Sequence, residues 1–397
     1  MVRYKMLGRD VNSFPLQYRT WIVNDEPDLT GQLYTGLKSG SQSFVDISVT
    51  ELQDDAVIAD FSLPNFQSFS MIEKTLPAMA SNSQLAVVDG YVYLFGGDGS
   101  DRILRAELEN PADWVDTGAK LPNQLAGSQL ALLDGYLYLF GGQIGKTATD
   151  NIYRAPITNP LSWVDTGANL STALYNSQLG VADGYLYLFG GCTNNGTTDL
   201  ILRAPTTNPL TWVNTGDTLP SRRQGSHLGL VDGYFYLFGG SADGVLATNT
   251  IFRSSLLTPT VFSIVGTLPE SPFFGQFFTY GQYGYLITPV GTNSIEPYTV
   301  LMRCLLNNPV SWETFSNIDG LATQSQVAII YDRIFVFGGN SSSLIFTHNL
   351  QLKYSIESDS LSQIYGRKTR TQYQSTINQL DLNKVISFPF WKTDYSW

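Results

Sequence analysis

Residues 134–142 read DGYLYLFGG, and residues 183–191 repeat them letter for letter. DGYVYLFGG stands at 89–97 and DGYFYLFGG at 232–240. With the first Asp as marker, the copies begin at Asp89, Asp134, Asp183 and Asp232. Two weaker ones follow, GQYGYLITP from Gly281 and YDRIFVFGG from Tyr331. The steps are 45, 49, 49, 49 and 50 residues. Self-similarity at such a period marks an array of equivalent units, each too small to bury its own apolar face.

The rest of each unit recurs as well. Beyond the Gly-Gly come ILRA (103–106), IYRA (152–155), ILRA (201–204), IFRS (251–254) and LMRC (301–304). Nine residues past each Arg stands an aromatic, Trp114, Trp163, Trp212, Phe262 or Trp312, and three residues before it a proline. Four of those prolines follow Asn, and Asn-Pro initiates turns. Each unit therefore reads as four short strands. Strand a is apolar (SQLALL), an Asp-Gly pair makes a tight hairpin, strand b is YLYLF, strand c carries the Arg, and strand d starts at the Trp. Strand b is apolar on both faces, as a strand sandwiched between neighbouring sheets must be.

Four-stranded units of this period, with Gly-Gly closing an aromatic strand, resemble the kelch repeat family. The resemblance rests on DGxxYxFGG, the downstream Trp and the period, and it covers about residues 65–353. It implies an all-β, six-bladed kelch-type β-propeller with N- and C-terminal extensions. Unit five departs most, with Thr288-Pro289 in place of Gly-Gly. Unit six has no Trp of its own, and FSMIEKTLP (69–77) aligns with WVDTGAKLP (114–122). Residues 66–77 are therefore expected to supply its fourth strand and close the ring, as in kelch propellers. Residues 1–64 then form an N-terminal extension read as a docking segment, and 354–397 a tail rich in terminal aromatics (Phe388, Phe390, Trp391, Tyr395, Trp397).

Composition narrows the function. The chain has 397 residues, 43% hydrophobic and 14% charged, with a net charge of −11. An acidic surface repels phosphate backbones, so nucleic acid is not an expected partner. MVRYKMLGRD has charges where a signal peptide needs an apolar run, and no stretch approaches ~18 apolar residues, so no export signal and no membrane insertion are expected. Two cysteines, Cys192 and Cys304, occupy different repeat positions and imply no bridge. HExxH, GxSxG, phosphate loops and Cys/His ligand spacings are missing from the sequence, so no cofactor, metal site or catalytic residue is expected.

Repetition offers an internal test: a residue shared by all units serves the scaffold, and one that breaks the pattern is free for a local role. The Arg and Trp columns belong to the first kind. Five residues before each marker stand Gln84, Gln129, Gln178, His227, Gln276 and Gln326. These side chains either satisfy backbone groups between blades or line a polar pocket at the channel mouth. His227, the one substitution, sits in SRRQGSH beside Arg222 and Arg223, an anion-friendly group. SPFFGQFFTYGQYGY (271–285) crowds Phe273, Phe274, Phe277 and Phe278 into one unit, either as repacked core or as an exposed contact surface.

The expected function is a non-enzymatic binding or assembly module. Its setting would be a virus particle, as a structural or host-recognition component (a phage capsid or tail decoration, or an adhesin), and otherwise the cytoplasm. Residues 1–64 and 354–397 would contact other structural proteins, and the propeller face a glycan or receptor. The alternative, implied by enzymes of the kelch family, is a glycan-binding or sialic-acid-epimerase-like propeller.

Overall fold

The structure, a computed structural model, describes residues 3–10, 17–23, 44–52 and 69–349, except 98, 281–282, 291–297, 319–323, 332 and 340–341. Every regular element among them is a β-strand. The chain forms two compact units. In the first, Arg3–Asp10 is the centre of a three-stranded antiparallel sheet between Gln17–Val23 and Phe44–Leu52. The aromatic tail within 354–397 lies outside the described residues.

The second unit is a six-bladed β-propeller of four-stranded sheets. Blade one comprises Gln84–Val88, Tyr91–Phe95, Arg102–Glu107 and Val115–Lys120, antiparallel and in chain order. Blades two to five repeat this from strands a at Gln129–Leu133, Gln178–Ala182, His227–Val231 and Gln276–Tyr280. Blade six joins Gln326–Ile330, Arg333–Phe337 and Leu344–Asn349 to Ser70–Thr75 from the start of the propeller chain. Leu344 faces Thr75, Phe346 faces Met71, and the Leu76 N–H donates to the Ser343 carbonyl at 2.7 Å. One sheet thus ties early chain to late chain.

The repeated letters each have a physical task. Asp89, Asp134, Asp183 and Asp232 lie at φ 47–50°, and the glycines after them are also positive, the geometry of a type I′ hairpin turn. In strand b, Tyr93 stacks on Phe95, Tyr138 on Phe140, Tyr187 on Phe189 and Tyr236 on Phe238, at 5.7–5.9 Å. The edge of that Phe meets the aromatic of the next blade: Phe95 with Trp163, Phe140 with Trp212, Phe189 with Phe262, Phe238 with Trp312 and Phe337 with Trp114. Such contacts add about 0.5–1.5 kcal/mol each beyond the area they bury. Each of the four Trp indoles donates to the carbonyl of the proline three residues earlier, so the Asn-Pro turn also fixes the ring that packs between blades. The column arginines Arg105, Arg154, Arg203, Arg253 and Arg303 lie over Tyr91, Tyr136, Tyr185, Tyr234 and Tyr283, 4.6–4.9 Å from the ring centres.

The Gly-Gly pair is where one blade's backbone crosses the next. The N–H groups of Gly97, Gly142, Gly191 and Gly240 donate to the carbonyls of Leu125, Leu174, Arg223 and Pro272 in the following blade. A Cβ on Gly141 would stand 2.3 Å from the Leu174 oxygen, at φ +58°. Gly145 has a similar φ of +62° but open space around it. Gly141→Ala should therefore cost about 2–4 kcal/mol, strain plus collision, while Gly145→Ala should cost only about 1 kcal/mol of strain. Urea denaturation of both variants checks this; equal losses would show that the crossing is not what demands glycine.

Candidate functional site

The channel mouth is built by the backbone. One residue per blade, Asn82, Gly127, Asn176, Gly225, Phe274 and Gln324, stands just before strand a in the left-handed region, with φ between 53° and 63°. In that conformation each N–H reaches the carbonyl of its counterpart in the preceding blade. Gly127 donates to Asn82, Asn176 to Gly127, Gly225 to Asn176, Phe274 to Gly225, Gln324 to Phe274, and Asn82 to Gln324, at 2.8–3.3 Å. Six hydrogen bonds close on themselves around the axis. Glycine at 127 and 225 meets two demands. Its φ is positive, and its neighbours' side chains cover it: Asn176 Oδ1 would lie 2.3 Å from a Cβ at 127, and Phe273 would lie 2.7 Å from one at 225.

Two residues further along comes the collar of Gln84, Gln129, Gln178, His227, Gln276 and Gln326. With the ring residues and strand a apolar groups such as Leu85, Leu130 and Phe277, it lines a cavity of about 150 Å³. Much of the collar serves the scaffold. Gln84, Gln129 and Gln178 donate to the carbonyls of Ser83, Ser128 and Ser177. Gln178 Oε1 accepts the Leu228 N–H of the next blade, and Gln276 donates to Ser325. His227 Nε2 accepts the Gly275 N–H at 3.0 Å. Burial pushes the His227 pKa down to about 3, so the imidazole is neutral.

The three basic residues of SRRQGSH take three different places. His227 lines the cavity, whereas Arg222 is exposed and neither arginine is in the lining. Arg223 takes a position held by the buried leucines 125 and 174 in earlier blades, and is itself 3% exposed. Its guanidinium lies 4.2 Å from the Phe252 ring centre and donates to the Gly239 carbonyl and Ser221 Oγ. Desolvation lowers its pKa to about 10. The aromatic stretch of blade five divides. Phe277 and Phe278 are buried, Phe277 against Phe238 and Phe278 on Tyr285. Phe273 and Phe274 are half-buried at the mouth with ring centres 4.2 Å apart. Strand alternation sends 277 and 278 to opposite faces, and in a propeller both faces are covered. Among the described residues, the cavity lining contains no carboxylate, ammonium or guanidinium.

A second feature, not read from the sequence, is the exposed apolar surface of blade four. Of thirteen exposed large apolar residues among those described, six belong to it: Leu230, Val245, Leu246, Leu257, Val261 and Ile264. Leu257 stands where other blades have Glu109, Thr158, Thr207 and Asn307. Val261 replaces Asp113, Ser162, Thr211 and Ser311, and Ile264 replaces Asp116, Asp165, Asn214 and Thr314. At the opposite end of the blade, Asp243 Oδ1 accepts the N–H groups of Val245 and Leu246 and holds their loop with both side chains exposed. Comparing columns across repeats carries this signal. No family model matches the chain, and no curated protein matches it in sequence.

Two variants probe the interior. Replacing a buried, carboxylate-free cation by the leucine of its column, Arg223→Leu, should raise the unfolding free energy by about 1–2 kcal/mol in urea titrations. A loss would mean that the bonds to Gly239 and Ser221 outweigh desolvation. For His227 the folded pKa of about 3 lies below the unfolded value of 6.5, so the unfolded chain binds the extra proton. Its neutral form supports the fold fully above pH 6.5, and that support is lost as pH falls toward 3. Relative to His227→Gln the wild type should lose stability at about half of 1.4 kcal/mol per pH unit at pH 6.5, a slope that approaches about 1.4 kcal/mol per unit between pH 5.5 and 4, read from paired denaturation curves. Parallel curves would contradict the burial argument.

Proposed function

We propose that this chain is a kelch-type propeller acting as a non-enzymatic binding module, with blade four as its partner-contacting surface. The carrying observation is the apolar triplet Leu257, Val261 and Ile264, exposed at positions where blades one, two, three and five are polar. Exposed apolar residues that recur around the ring, such as Val115, Val164 and Val213, read as scaffold; three gathered on one blade suit recognition. The kelch assignment draws support from the repeated DGxxYxFGG hairpin and the closing strand at Ser70–Thr75. The non-enzymatic reading draws support from a collar whose single titratable group is held neutral and bonded to backbone.

The setting we propose is a virus particle, with the propeller contacting a host surface or another structural protein. The test uses full-length protein and a variant carrying the polar residues of blade two, Leu257→Thr, Val261→Ser and Ile264→Asp. All three sites are exposed, so stability should change by no more than about 0.5 kcal/mol. Labelled protein should bind purified particles or host cells, and the variant should bind at least about tenfold more weakly. Equal binding by both proteins, or none by either, sinks the reading. Absence of the chain from purified particles by mass spectrometry, with cell binding intact, overturns the setting alone.

A further inference from the structure

The collar breaks its own symmetry at one place, and the break is chemical. Five positions carry carboxamides and the sixth carries His227. Because Nε2 accepts the Gly275 N–H, the imidazole proton resides on Nδ1. His227 is 5% exposed and lines the cavity, and Nδ1 is not among the buried unpartnered atoms of the described residues, so it opens on the cavity. An imidazole N–H that opens on the cavity is matched by whatever occupies it, water or a ligand. Blade one lies opposite blade four in a ring of six. There Gln84 spends its N–H on Ser83, and Gln129 in blade two does the same with Ser128. No donor among the described residues meets either side-chain carbonyl. The cavity thus presents a donor on one side and acceptors across from it.

We propose that the channel is a binding site for a small uncharged carboxamide. The ligand's carbonyl accepts from His227 Nδ1–H, its N–H group donates to the Gln84 and Gln129 carbonyls, and its apolar body lies against Leu85, Leu130 and Phe277. The size fits: about 150 Å³ is on the order of a cavity that admits benzene. The charge fits as well. The lining offers no counter-ion, so a carboxylate or an ammonium of the same size would be desolvated without compensation. A carboxamide carries donor and acceptor on one planar group without charge. This site is independent of the outer surface of blade four and does not rest on the partner proposed for it.

The chain has two histidines, His227 and His348, which makes the test direct. Full-length protein labelled with 15N in its histidine rings is titrated with acetamide, with acetate and methylammonium as charged counterparts. One ring N–H resonance, assigned by its loss in His227→Gln, should shift saturably with acetamide and stay fixed with the charged probes. Gln84→Leu, which leaves the His227 signal in place, should weaken acetamide binding about tenfold, the equivalent of one hydrogen bond. The proposal is overturned if the His227 signal stays fixed throughout the acetamide titration, which would leave water as the occupant. It is equally overturned if acetate gives the same shift, or if Gln84→Leu binds acetamide as the wild type does. The blade-four triple variant should bind acetamide unchanged, so failure of one proposal is separable from failure of the other.

Discussion

The propeller depends on a hydrogen-bonded circle. Six residues at positive φ pass one N–H to the carbonyl of the blade before, and the chain of bonds has no end. Every blade must therefore present the same backbone conformation at the same radius. The sequence obeys this. Asn82, Gly127, Asn176, Gly225, Phe274 and Gln324 each stand seven residues before the marker of their unit. Variation in length goes elsewhere: from the second glycine of the pair to the column arginine the separation is eight residues in blade one, twelve in blades two and three, and thirteen in blade four. Loops on the surface absorb insertions at little cost, whereas an extra residue between circle and hairpin would rotate a whole blade.

The nonapeptide was legible because its letters act locally. Asp-Gly makes a turn, the alternating aromatics fill both faces, and the glycines admit a crossing backbone. The circle was illegible because its column reads Asn, Gly, Asn, Gly, Phe, Gln. What is shared there is a backbone angle, and side-chain comparison does not see it. Asn and Gly enter that region cheaply; Phe274 and Gln324 pay about 1–2 kcal/mol each and stand in the two most degraded blades. The same blindness explains Arg223. Adjacency to Arg222 and closeness to His227 suggested one cluster, but the loop puts residue 223 in a leucine position facing Phe252. Asp-Thr-Gly recurs at 116–118 and 165–167. There the Asp side chain accepts the Gly N–H while the Thr hydroxyl bonds to strand c, shaping the bulge of strand d.

Equivalence around the ring also locates its weakest seam. Five interfaces carry an aromatic edge against the strand b phenylalanine of the preceding blade. Between blades five and six the phenylalanine position holds Ile287, and Phe69, in the Trp position, packs instead against His348 of its own blade at 5.4 Å. Blade six is also the one assembled from both ends of the propeller, so its pairing spans the largest sequence separation and carries the largest closure entropy. The interface with the least aromatic packing therefore adjoins the sheet whose formation is slowest. Opening there breaks two links of the circle at most and leaves four blades with their packing intact. Blade four is separated from that seam by blade five alone and is flanked on both sides by aromatic interfaces, as blades one to three are.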